Sequence, residues 1–152
     1  MPGGAALVLA LLLPQAVPQS GGVVIFAPER AAELLKQCSR ATPRPGEGGW
    51  MPTAADIARL ETRLPAAIYL MRPNPYTWKV TQGAPTGWGR QYVGVVRGGK
   101  RYIYGNFVPN DIVRDARYPW RDRPISMCDG GPGFFGAEYD LEMDAISHLA
   151  FN

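Results

Sequence analysis

The chain of 152 residues is poor in the side chains that hold metals, with two cysteines and one histidine. That excludes a self-contained zinc site of four cysteines, of two cysteines with two histidines, or of three histidines, and no metal is predicted. No run of 18 apolar residues is present, so no ordinary membrane-spanning helix is expected. Neither G-x-S-x-G nor H-E-x-x-H occurs, which removes two common hydrolase signatures. Long regular elements are disfavoured by 18 Gly and 15 Pro. What is present is an ordinary globular balance, 46% hydrophobic and 19% charged, at a length that suits one domain.

The first charged residue is Glu29, and ahead of it Ala5–Leu13 reads AALVLALLL. Pro14 ends this run and PQAVPQSGG follows. A short apolar stretch followed by small residues is the h-region and c-region pattern of a secretory signal peptide, although no Lys or Arg precedes it. Cleavage is expected after Ala16 or near Ser20, which divides the chain into a signal peptide, 1–20, and one domain, 21–152. The remaining length of about 130 residues is enough for a real core.

Export places Cys38 and Cys128 in an oxidising compartment, where they have one possible internal pairing. Such a bridge closes a loop of about 90 residues and is worth about 4–5 kcal/mol on the chain-entropy model. The alternative is a free Cys128 nucleophile with His148 as its base.

Ala31, Leu34, Leu35 and Cys38 recur at helical spacing, which predicts a first helix over Pro28–Cys38. Thr53 opens a second, with Asp56 completing a capping-box-like pair and Ile57, Leu60 and Leu64 on one face. Pro65 is expected to interrupt it, with Ala66–Met71 as an offset continuation. Asn74–Trp88 reads as turns. Strands are expected at Arg90–Val96 and Lys100–Val108, joined by the two-residue turn Gly98-Gly99. Tyr102 and Tyr104 then share one face, Ile103 and Phe107 the other. A third strand is expected at Ile125–Cys128, and a final hairpin from Phe134–Asp140 and Ala145–Phe151. Alternation there groups His148 with Ile146 and Ala150. The fold class is therefore α+β: two N-terminal helices packed on an antiparallel β-meander of about four to five strands.

Two patterns resemble known motifs and fail on context. Gly131-x-Gly133-x-x-Gly136 matches a dinucleotide fingerprint, but no βαβ unit surrounds it, and no cofactor is predicted. Asp140-x-Glu142-x-Asp144 resembles the start of a calcium loop, but Ala145 and Phe151 stand where an EF-hand needs Gly and Glu. Asp129, Glu138 and Asp140 are the candidates for carboxylate-pair catalysis, with nothing specific selecting them.

Charge is unevenly placed. Residues 65–126 hold ten Lys/Arg and three Asp/Glu, whereas 127–152 hold five Asp/Glu and no Lys/Arg. Pairing of basic with acidic strands across the sheet accounts for this. A basic surface for an anionic partner accounts for it as well. Aromatics interleave with the basic residues, and the candidate partner-binding set is Trp88, Arg97, Lys100, Arg101, Tyr102 and Trp120. A protein or an anionic glycan of the envelope is the expected partner. Nucleic acid is not, given export, and no membrane span remains after signal removal.

The ending CDGGPGFFGAEYD followed by ISHLAFN resembles that of small exported proteobacterial proteins of unknown function. The earlier CSR, W-x-P and DIARLETRL are similar to the helical part of the same proteins. The matching positions run from Cys38, Trp50 and Pro52 to Cys128, Asp129, Gly130, Gly131, Phe135, Gly136, Tyr139 and Asp140. The resemblance implies an envelope location and supports Cys38 and Cys128 as partners. It implies no activity. The expectation is an exported binding domain, periplasmic or secreted, in the manner of an inhibitor or immunity-type protein acting on a wall-active or other envelope enzyme. A small hydrolase and a structural envelope component are the alternatives.

Overall fold

The computed structural model describes residues 22–152. The apolar run and its expected cleavage region lie outside the described residues. The fold is α+β, with four short-to-medium helices and a mixed sheet of six strands among the described residues.

The sheet grows from the Gly98-Gly99 turn. Both glycines adopt positive φ, 58° and 74°, which a side chain would strain. They join β3 (Gly89–Arg97) to β4 (Lys100–Val108), paired from Gly89 opposite Val108 to Arg97 opposite Lys100. On the far edge of β4 lies β5 (Phe135–Asp140), then β6 (Ala145–Phe151), all antiparallel. The other edge of β3 is shared. β1 (Val23–Ile25) runs parallel to its first half, and β2 (Gly48–Trp50) runs antiparallel to its second.

One face carries Tyr92, Ile103, Phe107, Phe135, Ala137 and Tyr139, all fully buried. Phe107 and Phe135 stack with centroids 4.5 Å apart. Helix α2 (Ala54–Met71) closes this face with Ile57, Leu60, Leu64 and Ile68. Burial of each such side chain is worth about 1.5–3 kcal/mol. The Thr53–Asp56 capping box starts the helix, with both reciprocal bonds formed. Pro65 does not break it. Its ring lies on the exposed side, so the 57, 60, 64, 68 stripe stays in phase. An ion pair fixes the helix to β3: buried Arg90 donates to both Glu61 oxygens at 2.9 and 3.0 Å. The Tyr92 hydroxyl donates to Glu61 at 2.8 Å.

The opposite face is covered by irregular chain. Helix α1 is only Ala31–Leu34, following a 3-10 turn at Pro28–Arg30, so the helix expected to reach Cys38 stops four residues short. Leu34 and Leu35 point inward together, onto Phe26, Val93, Val95 and Tyr104. The Gln37 amide donates to the Leu34 carbonyl at 2.9 Å, which ends the helix and turns Cys38 towards Cys128. The third strand expected at Ile125–Cys128 does not form. Its backbone is satisfied by side chains: the Ile125 N–H donates to Gln91, Asn106 donates to the Ile125 carbonyl, and Asn152 donates to the Met127 carbonyl. The segment therefore lies over the sheet and not along its edge.

The remaining helices were hidden among turn signals. Asn74 caps α3 (Pro75–Thr81) by accepting from the Thr77 N–H at 2.9 Å, with Pro75 at the first helical position. α4 (Asn110–Arg114) is one turn. A register shift between Glu138 and Tyr139 also changes the last strand. Ile146 pairs with Tyr139 and joins Leu149 and Phe151 on the α2 side, whereas His148 pairs with Glu138. The expected grouping of Ile146 with His148 fails for this reason.

Candidate functional site

The sequence-predicted partner-binding residues separate into two groups. Trp88 and Trp120 serve the interior. Trp88 meets Phe135 edge-on at 6.2 Å, and its indole N–H donates to the Gly133 carbonyl at 2.8 Å. Trp120 is buried with Val108, Ile125 and Phe134. Arg97 and Tyr102 form a second internal unit. The Arg97 guanidinium lies 4.5 Å over the Tyr102 ring and its Nη atoms bind the Glu138 carboxylate. Ser147 Oγ donates to Glu138 Oε1 at 3.2 Å. Even with these partners, burial dominates and pushes the Glu138 carboxyl above its ordinary range.

Lys100 and Arg101 remain at the surface, at the start of β4. They border an open recess of about 350 Å³ with Asp56, Arg59, Leu141 and Glu142. Lys100 pairs with Glu142 at 3.2 Å. Asp56 is drawn below its ordinary value, first by the Thr53 backbone N–H that it caps. The Arg101 guanidinium stacks 4.8 Å over the Trp50 ring and makes no ion pair among the described residues. Trp50 is itself fixed, its indole N–H donating to the Tyr102 carbonyl at 3.0 Å. An aromatic ring fixed beneath an exposed guanidinium has the geometry to receive a carboxylate or another anion, and the Arg101 charge already acts on Asp56 across the recess. Asp56 was visible in the sequence only as a helix cap and Arg59 not at all, because α2 and the β5–β6 turn reach the recess from distant parts of the chain. Trp50 was visible only as part of the W-x-P resemblance.

Cys128 is bonded to Cys38, so its sulfur is not a thiol in this structure. His148 Nε2 lies 3.1 Å from the Ala41 carbonyl. Each of the three candidate carboxylates holds local structure. Asp129 exchanges hydrogen bonds with Ser39 beside the disulfide. Asp140 accepts from the Glu142 and Met143 N–H groups in the β5–β6 turn. Glu138 is enclosed with Arg97. No group of three or more His, Cys, Asp or Glu side chains is placed to hold a metal ion among the described residues, and no described helix is long and apolar enough to cross a membrane.

No family model matches the chain, and no curated protein or solved structure matches it either.

Proposed function

We propose that the chain is an exported binding domain of the cell envelope, an inhibitor or immunity-type protein that engages a wall-active or other envelope enzyme through the Arg101–Trp50 anchor. The observation that carries the reading is that anchor: the exposed Arg101 guanidinium held on a fixed tryptophan beside the recess. Aromatic and arginine side chains in such settings carry a large share of binding energy at protein interfaces. The Cys38–Cys128 bond and the leader-like run at Ala5–Leu13 support the location.

The test is crosslinking in the envelope fraction, followed by assay of the captured enzyme. The parent protein is expected to retain a wall-active or other envelope enzyme and to lower its activity, and Arg101→Glu to lose both effects. Arg97 is unsuitable for this test, because changing it uncovers Glu138. Failure to retain any envelope enzyme, or inhibition that survives Arg101→Glu, overturns the reading.

A further inference from the structure

The end of α2 and the helix that follows leave a surface unlike the rest of the molecule. Ile68 is fully buried, but the next three residues are not: Tyr69 is 50% exposed, Leu70 78% and Met71 46%. Successive helical residues are about 100° apart, so these three span an arc of about 200°, centred opposite Ile68. The last turn is therefore attached to the body through Ile68 and, on its Tyr69 side, through Trp78, and it is open at Leu70 and Met71. α3 continues the surface. Thr77 and Thr81 face inward, while Tyr76 is 63% exposed.

The apolar residues are bordered by cations. The Arg72 guanidinium lies 3.9 Å over the Tyr69 ring, which in turn meets Trp78 edge-on at 5.2 Å. Lys79 is exposed on α3. No Asp or Glu occurs from Thr62 to Asn110, so neither α3 nor the projecting turn of α2 carries a carboxylate to neutralise these charges.

We infer that this projecting tip is a peripheral docking surface for an anionic lipid bilayer, with Tyr69, Leu70, Met71 and Tyr76 entering the interface and Arg72 and Lys79 meeting the headgroups. Tyrosines suit the boundary between headgroup and acyl chain. Leu and Met supply apolar area, and basic side chains supply attraction to anionic headgroups. A second copy of the chain fits the surface poorly. Two-fold pairing sets the same patch against itself and brings Arg72 and Lys79 towards their own counterparts, with no carboxylate in this segment to answer them. The inference is independent of the Arg101 anchor, which belongs to β4 and the opposite end of α2.

The experiment is sedimentation of the full chain with vesicles of phosphatidylcholine alone and of phosphatidylcholine mixed with phosphatidylglycerol. Binding is expected only to the phosphatidylglycerol-containing vesicles, falling with salt. Leu70→Glu with Tyr76→Glu is expected to weaken it by about tenfold or more, as loss of one buried large apolar side chain already does. Arg72→Gln with Lys79→Gln is expected to weaken it by about 30-fold, from the loss of two surface cations. The four residues are at the surface or half-buried, and circular dichroism checks that each variant is folded. Because every variant keeps residues 1–21, vesicle binding carried by the apolar run is unchanged by them, and that result overturns the inference. So does failure to bind the anionic vesicles. Concentration-dependent dimerisation that Leu70→Glu abolishes assigns the surface to a second copy and overturns it as well.

Discussion

Arg97 and Glu138 meet across the second face of the sheet although a whole strand, β4, lies between theirs. Arg97 gets there by lying along the Tyr102 ring, so the aromatic side chain acts as its support. The Glu138 side chain is only 4% exposed and that of Arg97 22%. Removing the cation therefore leaves a carboxylate enclosed without its partner. Arg97→Ala is expected to cost about 3 kcal/mol, in the range for breaking a buried pair. Replacing both residues with leucine is expected to cost less than that single change, since no charge is then stranded. Urea denaturation of the two variants decides it, and a double variant less stable than Arg97→Ala contradicts the account.

This pair also shows what could and could not be read from the sequence. The Gly98-Gly99 turn, both long strands and the final hairpin were legible, because alternation and turn chemistry are local. The unequal charge of residues 65–126 and 127–152 was legible too, and part of it resolves as cross-sheet pairing: Arg97 with Glu138 and Lys100 with Glu142. The two-face alternation of Tyr102 and Tyr104 against Ile103 and Phe107 holds, yet Arg97, one of the candidate partner-binding residues, is turned inward to Glu138. Nothing local says that a hairpin-end arginine will fold back over a tyrosine to a buried acid. β1 and β2 are three residues each and owe their existence to the edge of β3. Gly48-Gly49-Trp50 has little strand propensity of its own. The Ile125–Cys128 strand failed for the reverse reason. Its composition suits a strand, but Gln91, Asn106 and Asn152 satisfy its backbone from below.

At Gly94, β3 lies close against Trp50 of β2. A Cβ at this position would overlap the Trp50 carbonyl oxygen and crowd the indole ring. The obstruction is backbone, so a side-chain rotation does not relieve it. Gly94→Ala is expected to detach Trp50 from β3 and to remove the platform beneath Arg101. The stability cost is expected to reach about 1–3 kcal/mol, as for overpacked interiors. Thermal denaturation gives the cost, and Trp fluorescence reports the displaced indole. A variant with unchanged melting temperature and emission contradicts the close approach.

Cys38 and Cys128 are 90 residues apart in sequence, and their bond ties the chain leaving α1 to the segment that lies over Gln91 and Asn106. Cys38→Ser with Cys128→Ser is expected to lower stability by about 2–5 kcal/mol. Reduction of the parent protein is expected to have the same effect. The check is a urea titration of parent and variant, with and without reductant. Intact mass after alkylation reports the thiols directly: both are expected to react only after reduction. Two thiols that alkylate without reduction, or equal urea midpoints in all four conditions, remove the bond from the account.

Asp144 ends the β5–β6 turn against the outer side of α2. It accepts from Arg63 at 2.5 Å and from the Tyr139 hydroxyl at 2.5 Å, with Arg59 at 3.7 Å. Arg63 first, then Tyr139, holds its carboxyl well below the ordinary value of 3.8, at about 2. A carboxyl whose pKa is lowered by folding contributes its full stability above the unfolded value and loses it as pH falls through the folded one. The Asp144 contribution is therefore intact above about pH 4, declines below that, and is gone below about pH 2. Asp144→Asn keeps the size of the side chain and cannot titrate. Parent and variant are expected to differ most at neutral pH and to converge in urea midpoint as the solution is acidified from about pH 4 towards pH 2. A difference that stays constant or widens over that range shows that the two arginines and Tyr139 do not act on Asp144 through its charge.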